Sequence, residues 1–263
     1  MEAWLDQYCI NVTDLERSVA FYEAIGLQDV VRTALPEAKI DEAIVANPNK
    51  GGRIQLAVWH ERSGSINHGN ALWKLYLKTN DVDRMYAEAM AFGCESVKAP
   101  FITERWPTKI AFVLDPDGYL VELVQFLPGV GDEQTTRAWV SQYCINVSDI
   151  EATIRFYELV GLEVESRTEL DTAREAILSN PARQGGRVQL AQQLDRDDPI
   201  DMGTAFWKLY VRTDDVRGLH EKLVAGGCNS VREPSRTSRW PTTISFVTDP
   251  DGYLIELVQR DER

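Results

Sequence analysis

The chain contains few of the side chains that usually bind transition metals. It has three histidines and four cysteines among 263 residues, and no two cysteines form a Cys-x-x-Cys pair. In a reducing compartment isolated cysteines are usually small buried hydrophobes, so neither a disulfide nor a thiol nucleophile is predicted. The histidines, His60, His68 and His220, are interpreted as surface residues rather than as ligands or bases.

Positive charge and long apolar runs are also scarce. The chain carries 28 Lys and Arg against 41 Asp and Glu, a formal net charge of −13. Nucleic acids and anionic lipid surfaces require a basic surface, so neither is predicted as a partner. No apolar run approaches the roughly 20 residues that span a bilayer, and the amino terminus lacks the basic and apolar segments of a signal peptide. We therefore expect a cytoplasmic protein.

A long internal repeat organises the chain. Residues 105–125 return almost unchanged at 239–259, and residues 1–126 and 138–260 are one sequence written twice. Between them lies a polar stretch with proline and glycine, which is typical of a linker. We predict a first domain at 1–126, a linker at 127–137 and a second domain at 138–263. Such an internal pseudo-dimer is expected to be a monomer or a homodimer.

Each copy of the repeat contains two predicted strands joined by Asp-Pro-Asp-Gly. The proline presets φ for the first corner of the turn, and the glycine accepts a positive φ. The second strand of each copy is apolar except for one carboxylate, Glu122 or Glu256. A charge in an apolar strand needs a physical reason, which makes both glutamates candidate site residues.

Hydrophobic periodicity predicts four β-α-β-β-β modules, two in each half, and hence an α+β fold. In the first module a strand at 4–12 leads into Thr13–Glu16, which fits a capping box, and Gly26 ends the helix. Three further strands are predicted near 27–33, 40–46 and 53–59. The same order then restarts at residue 71 and continues through the second half.

The module that ends in Asp-Pro-Asp-Gly-Tyr-x-x-Glu-Leu resembles the vicinal oxygen chelate superfamily. This superfamily includes glyoxalase I, extradiol dioxygenases and bleomycin-resistance proteins. The opening Asn-Val-Thr-Asp-Leu-Glu-Arg-Ser-Val-Ala-Phe-Tyr at 11–22 is similar to the same family, and the resemblance covers nearly the whole chain. It implies two glyoxalase-like domains with cup-shaped mixed sheets, although a fold alone does not define a chemistry.

The resemblance also implies four strand positions that commonly supply metal ligands in this family. Here they hold two glutamines, a lysine and a glutamate in each half: Gln7, Gln55, Lys74 and Glu122, then Gln142, Gln189, Lys208 and Glu256. Strand alternation independently places these side chains on a polar face. That face is either a functional cavity or an ordinary solvated sheet face, and the resemblance favours the cavity.

These residue types depart from the histidines and carboxylates that the resemblance implies for glyoxalases. An ammonium at the third position repels a divalent cation, so we predict no metal and no cofactor. Instead Lys74 and Lys208 are predicted to hold a substrate enolate, phenolate or carboxylate oxygen. The glutamines would orient the substrate, and Glu122 and Glu256 would move a proton. The alternative is a relic site in which each lysine and glutamate only neutralise each other.

Further aromatic and basic residues extend the candidate site. Tyr76 and Tyr210 share the sheet face of the lysines. Two Arg-Trp-Pro-Thr loops precede the long hairpins and are predicted to wall a flat or anionic ligand. Their ligand-binding candidates are Arg105, Trp106, Arg239 and Trp240. Indoles that merely cover the end of a barrel are the alternative interpretation.

Two other features complete the pattern. Trp73 and Trp207 have the opposite parity to the lysines beside them, so they are predicted to lie in the core. The segments 59–69 and 193–203 differ most between the halves and are interpreted as lids over non-equivalent pockets.

Three functions follow from these residues. The leading hypothesis is a metal-independent protein that binds a small oxygenated organic molecule, with lyase or isomerase chemistry that transfers a proton. The alternative is a non-catalytic binding protein of the drug-resistance kind. A metal-dependent glyoxalase or dioxygenase is the third and least favoured. The sequence leaves open whether each site forms within one half or between the two.

Overall fold

The computed structural model describes residues 2–128 and 138–261, so most of the predicted linker lies outside the described residues. The described part contains 16 strands and four helices in four successive β-α-β-β-β modules, which confirms the predicted α+β fold. The first half comprises β1 Ala3–Asn11, α1 Leu15–Ala24, β2 Gln28–Leu35, β3 Ile40–Asn47, β4 Lys50–Trp59, β5 Leu72–Lys78, α2 Val82–Phe92, β6 Glu95–Ile102, β7 Thr108–Leu114 and β8 Leu120–Phe126. The second comprises β9 Trp139–Asn146, α3 Ile150–Val160, β10 Glu163–Glu169, β11 Ala173–Ser179, β12 Arg187–Gln193, β13 Phe206–Thr213, α4 Val216–Ala225, β14 Asn229–Arg236, β15 Thr242–Thr248 and β16 Leu254–Arg260.

Every helix begins after an aspartate that caps it. The carboxylate of Asp14 accepts a hydrogen bond from the backbone N–H of Arg17, 3.0 Å away, and Asp81, Asp149 and Asp215 cap α2, α3 and α4 in the same way. Such a bond satisfies a backbone donor that has no partner within the helix. The prediction that Thr13 caps α1 was therefore wrong by one residue. The side chain of Thr13 instead donates to Asp117.

The sheets do not follow the halves of the sequence. Strands β1–β4 join β13–β16 in the order β14-β15-β16-β13-β1-β4-β3-β2, which we call sheet A. Strands β5–β8 join β9–β12 in the order β6-β7-β8-β5-β9-β12-β11-β10, which we call sheet B. Each cup is therefore lined by one module from each half.

The two sheets meet at close crossings of backbone. Gly52 forms the pairing between β4 and β9, opposite Val140. A Cβ atom on Gly51 would lie 2.3 Å from the carbonyl oxygen of Val140, and one on Gly185 would lie 2.0 Å from that of Leu5. Only glycine permits such an approach. These glycines therefore fix how the two halves cross.

Two reciprocal connections between the halves lie at the end of the sheets opposite these glycines. They follow the segments that were interpreted above as lids, 59–69 and 193–203. The N–H groups of Asn70 and Ala71 donate to the carbonyl of Asp201, and those of Thr204 and Ala205 donate to the carbonyl of Asn67. These bonds join residues 67–71 to residues 201–205. We call this feature the clasp.

The Asp-Pro-Asp-Gly turns anchor the first helix of each half. Gly118 adopts a φ of 91°, as predicted for this corner of the turn. Asp117 accepts hydrogen bonds from Thr13 and Ser18, and Asp115 accepts one from the hydroxyl of Tyr22. Tyr119 directly follows the turn, and its hydroxyl donates to the carbonyls of Asn11 and Ala205. This contact connects the turn to both halves.

Apolar side chains of the helices pack against the sheets in one buried cluster. The largest fully buried side chains include Tyr8, Phe21, Tyr22, Tyr143 and Tyr157. No helix in the described ranges is long and apolar enough to cross a membrane.

Burial of Asp115 predicts a pH dependence of stability. Burial raises the pKa of this carboxyl to about 7, although hydrogen bonds from Tyr119, Tyr22 and Asp117 favour the ionised form. As pH rises from about 4 towards 7, the unfolded chain loses this proton before the folded protein does. The free energy of unfolding should therefore fall by at most about 1.4 kcal/mol per pH unit from this group. Asp115→Asn, which cannot ionise, should gain stability relative to wild type over the same range.

Urea unfolding of both proteins at pH values between about 5 and 8 measures this difference. Asp171→Asn is the matched control, because Asp171 is exposed in the β10–β11 turn. A difference between wild type and Asp115→Asn that does not change with pH would contradict the assignment.

Candidate active site

Each predicted quartet lies on four adjacent strands, and each contains residues from both halves. In sheet A, Gln55 on β4 and Gln7 on β1 lie beside Lys208 on β13 and Glu256 on β16, which we call site A. Lys208 is paired in register with Cys9 of β1. In sheet B, site B contains the equivalent residues Gln189, Gln142, Lys74 and Glu122. The two sites are thus formed between the halves.

A short, buried ion pair forms one side of each site. The Nζ atom of Lys74 lies 2.6 Å from Oε2 of Glu122, and Lys208 lies 2.6 Å from Glu256. All four side chains are about a tenth exposed or less. Burial lowers the pKa of Lys74, but Glu122, Cys144 and Glu175 together raise it above its ordinary value. Both lysines therefore stay charged at neutral pH.

A directed chain of amides forms the other side of site B. An N–H of Arg187 donates to Oε1 of Gln142, at 2.7 Å. The Nε2 of Gln142 donates to Oε1 of Gln189, at 2.6 Å, and the Nε2 of Gln189 donates to Oε2 of Glu175, at 3.0 Å. Each donor in this chain points towards Glu175. These hydrogen bonds therefore all run in one direction, from the guanidinium of Arg187 to the carboxylate of Glu175.

Site A repeats the chain with one change. Gln7 donates to Gln55 at 3.0 Å, and Gln55 hydrogen-bonds Glu42, the counterpart of Glu175. The guanidinium of Arg53, however, pairs with Asp6 instead of with the first glutamine. The two sites therefore contain the same types of residue but differ in the partner of this arginine, which is a glutamine in site B and Asp6 in site A.

Glu42 and Glu175 are candidate site residues that the sequence analysis missed. Burial raises the pKa of both carboxyl groups. A lysine of the other half opposes this shift: Lys208 acts to lower the pKa of Glu42, and Lys74 acts to lower that of Glu175. Neither position belongs to the four that the family resemblance implied. A signal was nonetheless present, because the Glu-Ala-Ile motif recurs at the same place in both halves, on the strand beside the one that carries Gln55 or Gln189.

The thiols of Cys9 and Cys144 also belong to the sites. They donate to the side-chain oxygens of Gln55 and Gln189, at 3.0 and 3.3 Å. Burial raises the pKa of Cys144 to about 12, so this sulfur is a neutral thiol. It orients the amide and is not a nucleophile.

The two tyrosines predicted to bind ligand lie within the sites. Tyr76 is paired in register with Glu122 and with Gln142, and Tyr210 is paired with Glu256 and Gln7. Both are half-buried. Burial raises the pKa of each phenol, so both can donate hydrogen bonds at neutral pH.

The Arg-Trp-Pro-Thr loops reach the rims of the sites. An N–H of Arg105 donates to the backbone carbonyl of Glu169, at 3.3 Å, so this loop of the first half covers a hairpin of the second. The positive charge of Arg105 acts to lower the pKa of Glu175, and that of Arg239 acts to lower the pKa of Glu42. The indole of Trp106 is 45% exposed and that of Trp240 44% exposed, so they lie at the outer rim.

Two predictions about individual residues were wrong. Trp73 and Trp207 are half-buried and lie outside the core, because a β-bulge at each interrupts the strand alternation. Their rings lie 3.8 and 3.9 Å from the neighbouring lysine ammoniums, Lys74 and Lys208. His220 is not a surface residue, since only 2% of it is exposed and it contacts Ser230.

The family relationship agrees with this geometry. The model of the Glyoxalase/Bleomycin resistance protein/Dioxygenase superfamily matches residues 4–123 and 139–257. The chain therefore belongs to this superfamily, in a form with two fused repeats.

Two proteins of similar sequence and one of similar structure illustrate the relationship. The chain is 26% identical over 261 residues to a lactoylglutathione lyase of Arabidopsis thaliana, a match that covers 96% of this chain and 90% of that protein. A probable lactoylglutathione lyase of Vibrio parahaemolyticus is 32% identical over 123 residues, which is 45% of this chain and 88% of that protein. The crystal structure of glyoxalase I from Zea mays has a TM-score of 0.87 at 22% identity and covers 98% of this chain and 92% of that chain. At this identity the structural match shows a common fold.

The residues present do not fit a divalent cation at the family's metal position. The ammonium of Lys74 contacts the carboxylate that would be a ligand. The oxygen of Gln189 already accepts hydrogen bonds from Gln142 and Cys144, and the oxygen of Gln142 accepts one from Arg187. A cation would have to displace the lysine and break this chain.

Removal of a single partner from a buried ion pair should be costly. Lys74→Met leaves the Glu122 carboxylate buried without its counter-charge, so we expect a loss of about 3–5 kcal/mol in the free energy of unfolding. The double variant Lys74→Met/Glu122→Leu should recover most of this loss, because no buried charge remains. Urea unfolding near pH 7 measures both values.

Lys39→Met is the control, because Lys39 pairs with Glu61 at the surface, where both side chains are more than half exposed. This change should cost less than about 1 kcal/mol. A free energy of unfolding of Lys74→Met equal to that of the wild type would contradict the assignment of a buried ion pair.

Proposed function

We propose that this chain is a metal-independent lyase or isomerase of its superfamily, which moves a proton on a small oxygenated organic molecule. Its similarity to proteins named lactoylglutathione lyases supports the general class of reaction. The observation that carries the metal-independent part is the Lys–Glu contact of 2.6 Å at the family's metal position, repeated in both sites.

In this proposal the lysine supplies the positive charge of the site. A substrate enolate, phenolate or carboxylate oxygen binds beside the ammonium of Lys74 or Lys208, where the negative charge that develops during reaction is stabilised. The ion-paired glutamate keeps the lysine protonated and in place. Because the surroundings are largely dry, this charge acts more strongly than it would in water.

Two carboxyl groups in each site can transfer the proton. Glu122 and Glu256 are the residues proposed from the sequence, but each is held by its lysine. Glu175 and Glu42 contact amides instead, and burial raises the pKa of each towards neutrality. A carboxyl group with a raised pKa that no ammonium contacts can serve as a general base, so we assign proton transfer to Glu175 and Glu42 and leave the paired glutamates to hold the lysines.

The remaining residues orient and enclose the substrate. The hydroxyls of Tyr76 and Tyr210 donate hydrogen bonds, and Arg105 and Arg239 close the rims from the other half. Both sites are complete within one chain, which favours a monomer, although a homodimer remains compatible. A cytoplasmic location and the absence of a cofactor belong to the same proposal.

Turnover after metal removal tests the proposal. Lactoylglutathione, the compound for which the relatives are named, is the first of a panel of hydroxy and oxo compounds. We expect turnover to persist after chelation and dialysis. It should fall by about 10²-fold or more in a variant with Lys74→Met, Glu122→Leu, Lys208→Met and Glu256→Leu, which removes both anchors without leaving a buried charge.

The same assay separates the carboxyl groups. Glu175→Gln with Glu42→Gln should abolish the acidic limb of the kcat/KM profile, whereas Glu163→Gln, at an exposed position on β10, should retain it. Turnover that requires an added divalent cation, or that survives in the four-residue variant, would contradict the proposal. Stoichiometric binding across the panel without turnover would identify a binding protein instead.

A further inference from the structure

A basic cavity lies beyond site A, on the side away from the clasp. It has a volume of about 630 Å³ and lies where residues 46–53 of the first half meet Arg183 and Gly185 of the second. Five of its lining residues are cationic, namely Lys50, Arg53, Arg183, Arg212 and Arg260, and one, Asp6, is acidic. The whole chain carries a net charge of −13, so this concentration of positive charge runs against the composition.

The cavity continues the concave face of site A. Arg53 lies two residues before Gln55 on β4, and Arg212 lies four residues after Lys208 on β13. At a rise of about 3.3 Å per residue, these separations correspond to roughly 7 and 13 Å. Arg260 lies on the same face of β16, four residues after Glu256. A ligand that contacts both Lys208 and Arg212 would therefore span a distance on the order of 13 Å.

Two guanidinium groups converge in the cavity. Asp6 pairs with Arg53, and the same Oδ2 atom lies 2.9 Å from an N–H of Arg212. One carboxylate cannot neutralise two guanidiniums, and the Nε of Arg53 is buried without an acceptor. Among the described residues no acidic side chain pairs with Arg260. The cavity therefore retains positive charge and unused donors.

The pseudo-symmetric cavity beside site B has a different composition. Its volume is about 220 Å³. Lys78, Phe126 and Ser141 replace Arg212, Arg260 and Asp6 at the equivalent sequence positions, and Glu165 replaces Val30. Glu165 pairs with both Arg183 and Arg187, at 2.6 and 3.1 Å, as Asp6 pairs with Arg53 and Arg212 beside site A. The arginines at positions 212 and 260 are thus found beside site A alone.

We propose that the basic cavity is a binding subsite for an oxyanion, either a carboxylate or a phosphate group, of the ligand that enters site A. Guanidinium groups bind these planar or tetrahedral oxyanions through paired N–H donors. Placement of the ligand's other end at Lys208 depends on the proposed function, whereas binding of an oxyanion to the cavity does not.

Titration of the full chain with inorganic phosphate and with succinate, at constant ionic strength balanced with sodium chloride, tests the subsite. Calorimetry and thermal unfolding should show saturable binding of at least one of these anions and a rise in Tm. Arg260→Gln should weaken this binding by about tenfold, since it removes an exposed, charged donor. Arg212→Gln should weaken it as well, and Lys78→Gln, the equivalent position beside site B, should leave it unchanged.

Tighter binding of phosphate would identify a phosphorylated ligand, and tighter binding of succinate would identify a carboxylic acid. No saturable binding of either anion would overturn the subsite. Equal binding by wild type, Arg260→Gln and Arg212→Gln, or an equal loss in Lys78→Gln, would show only diffuse attraction and would overturn it too. None of these results depends on turnover, so the subsite and the proposed reaction fail separately.

Discussion

The antiparallel pairing of β1 with β13 and of β5 with β9 is the constraint on which the structure depends. These pairings join the first strand of a module in one half to the first strand of a module in the other. The glycine crossings at one end and the clasp at the other hold them in register. Without them, Gln7 and Gln55 would face no lysine, and no complete quartet would exist.

Within that frame, the buried Lys–Glu pair sets the chemistry. Desolvation of two charges is expensive, and their mutual attraction offsets this cost only when the geometry and the surrounding hydrogen bonds are good. Such a pair contributes little net stability, so stability does not explain its presence twice in one chain. A fixed positive charge in a dry cup, beside a carboxyl group with a raised pKa, is what a proton-transfer site needs.

Much of the fold was predictable from local patterns. The Asp-Pro-Asp-Gly turns, the helix periodicity and the repeat gave four modules with bounds close to those observed. The quartet followed from strand parity together with the family resemblance. What failed depended on local detail, since strict alternation does not predict the bulge at Trp73, and the capping-box pattern at Thr13–Glu16 pointed to Thr13 where Asp14 caps α1.

The assembly across the halves depends on tertiary contacts, and no local pattern specifies it. Repeats of this kind can close within a half or between halves with the same residue types in each site. Glu42 and Glu175 were missed for a related reason. They enter the sites because β3 and β11 pair with β4 and β12, and the four positions implied by the family resemblance do not include them.

The central claim is that an ammonium occupies the position where this superfamily commonly holds a metal. Anomalous diffraction from crystals of the full chain grown with excess Zn²⁺ or Ni²⁺ tests it most directly. The account predicts no metal at either quartet and retention of both Lys–Glu contacts. A metal ion coordinated by Glu122 or Glu256, with the lysine displaced, would contradict it.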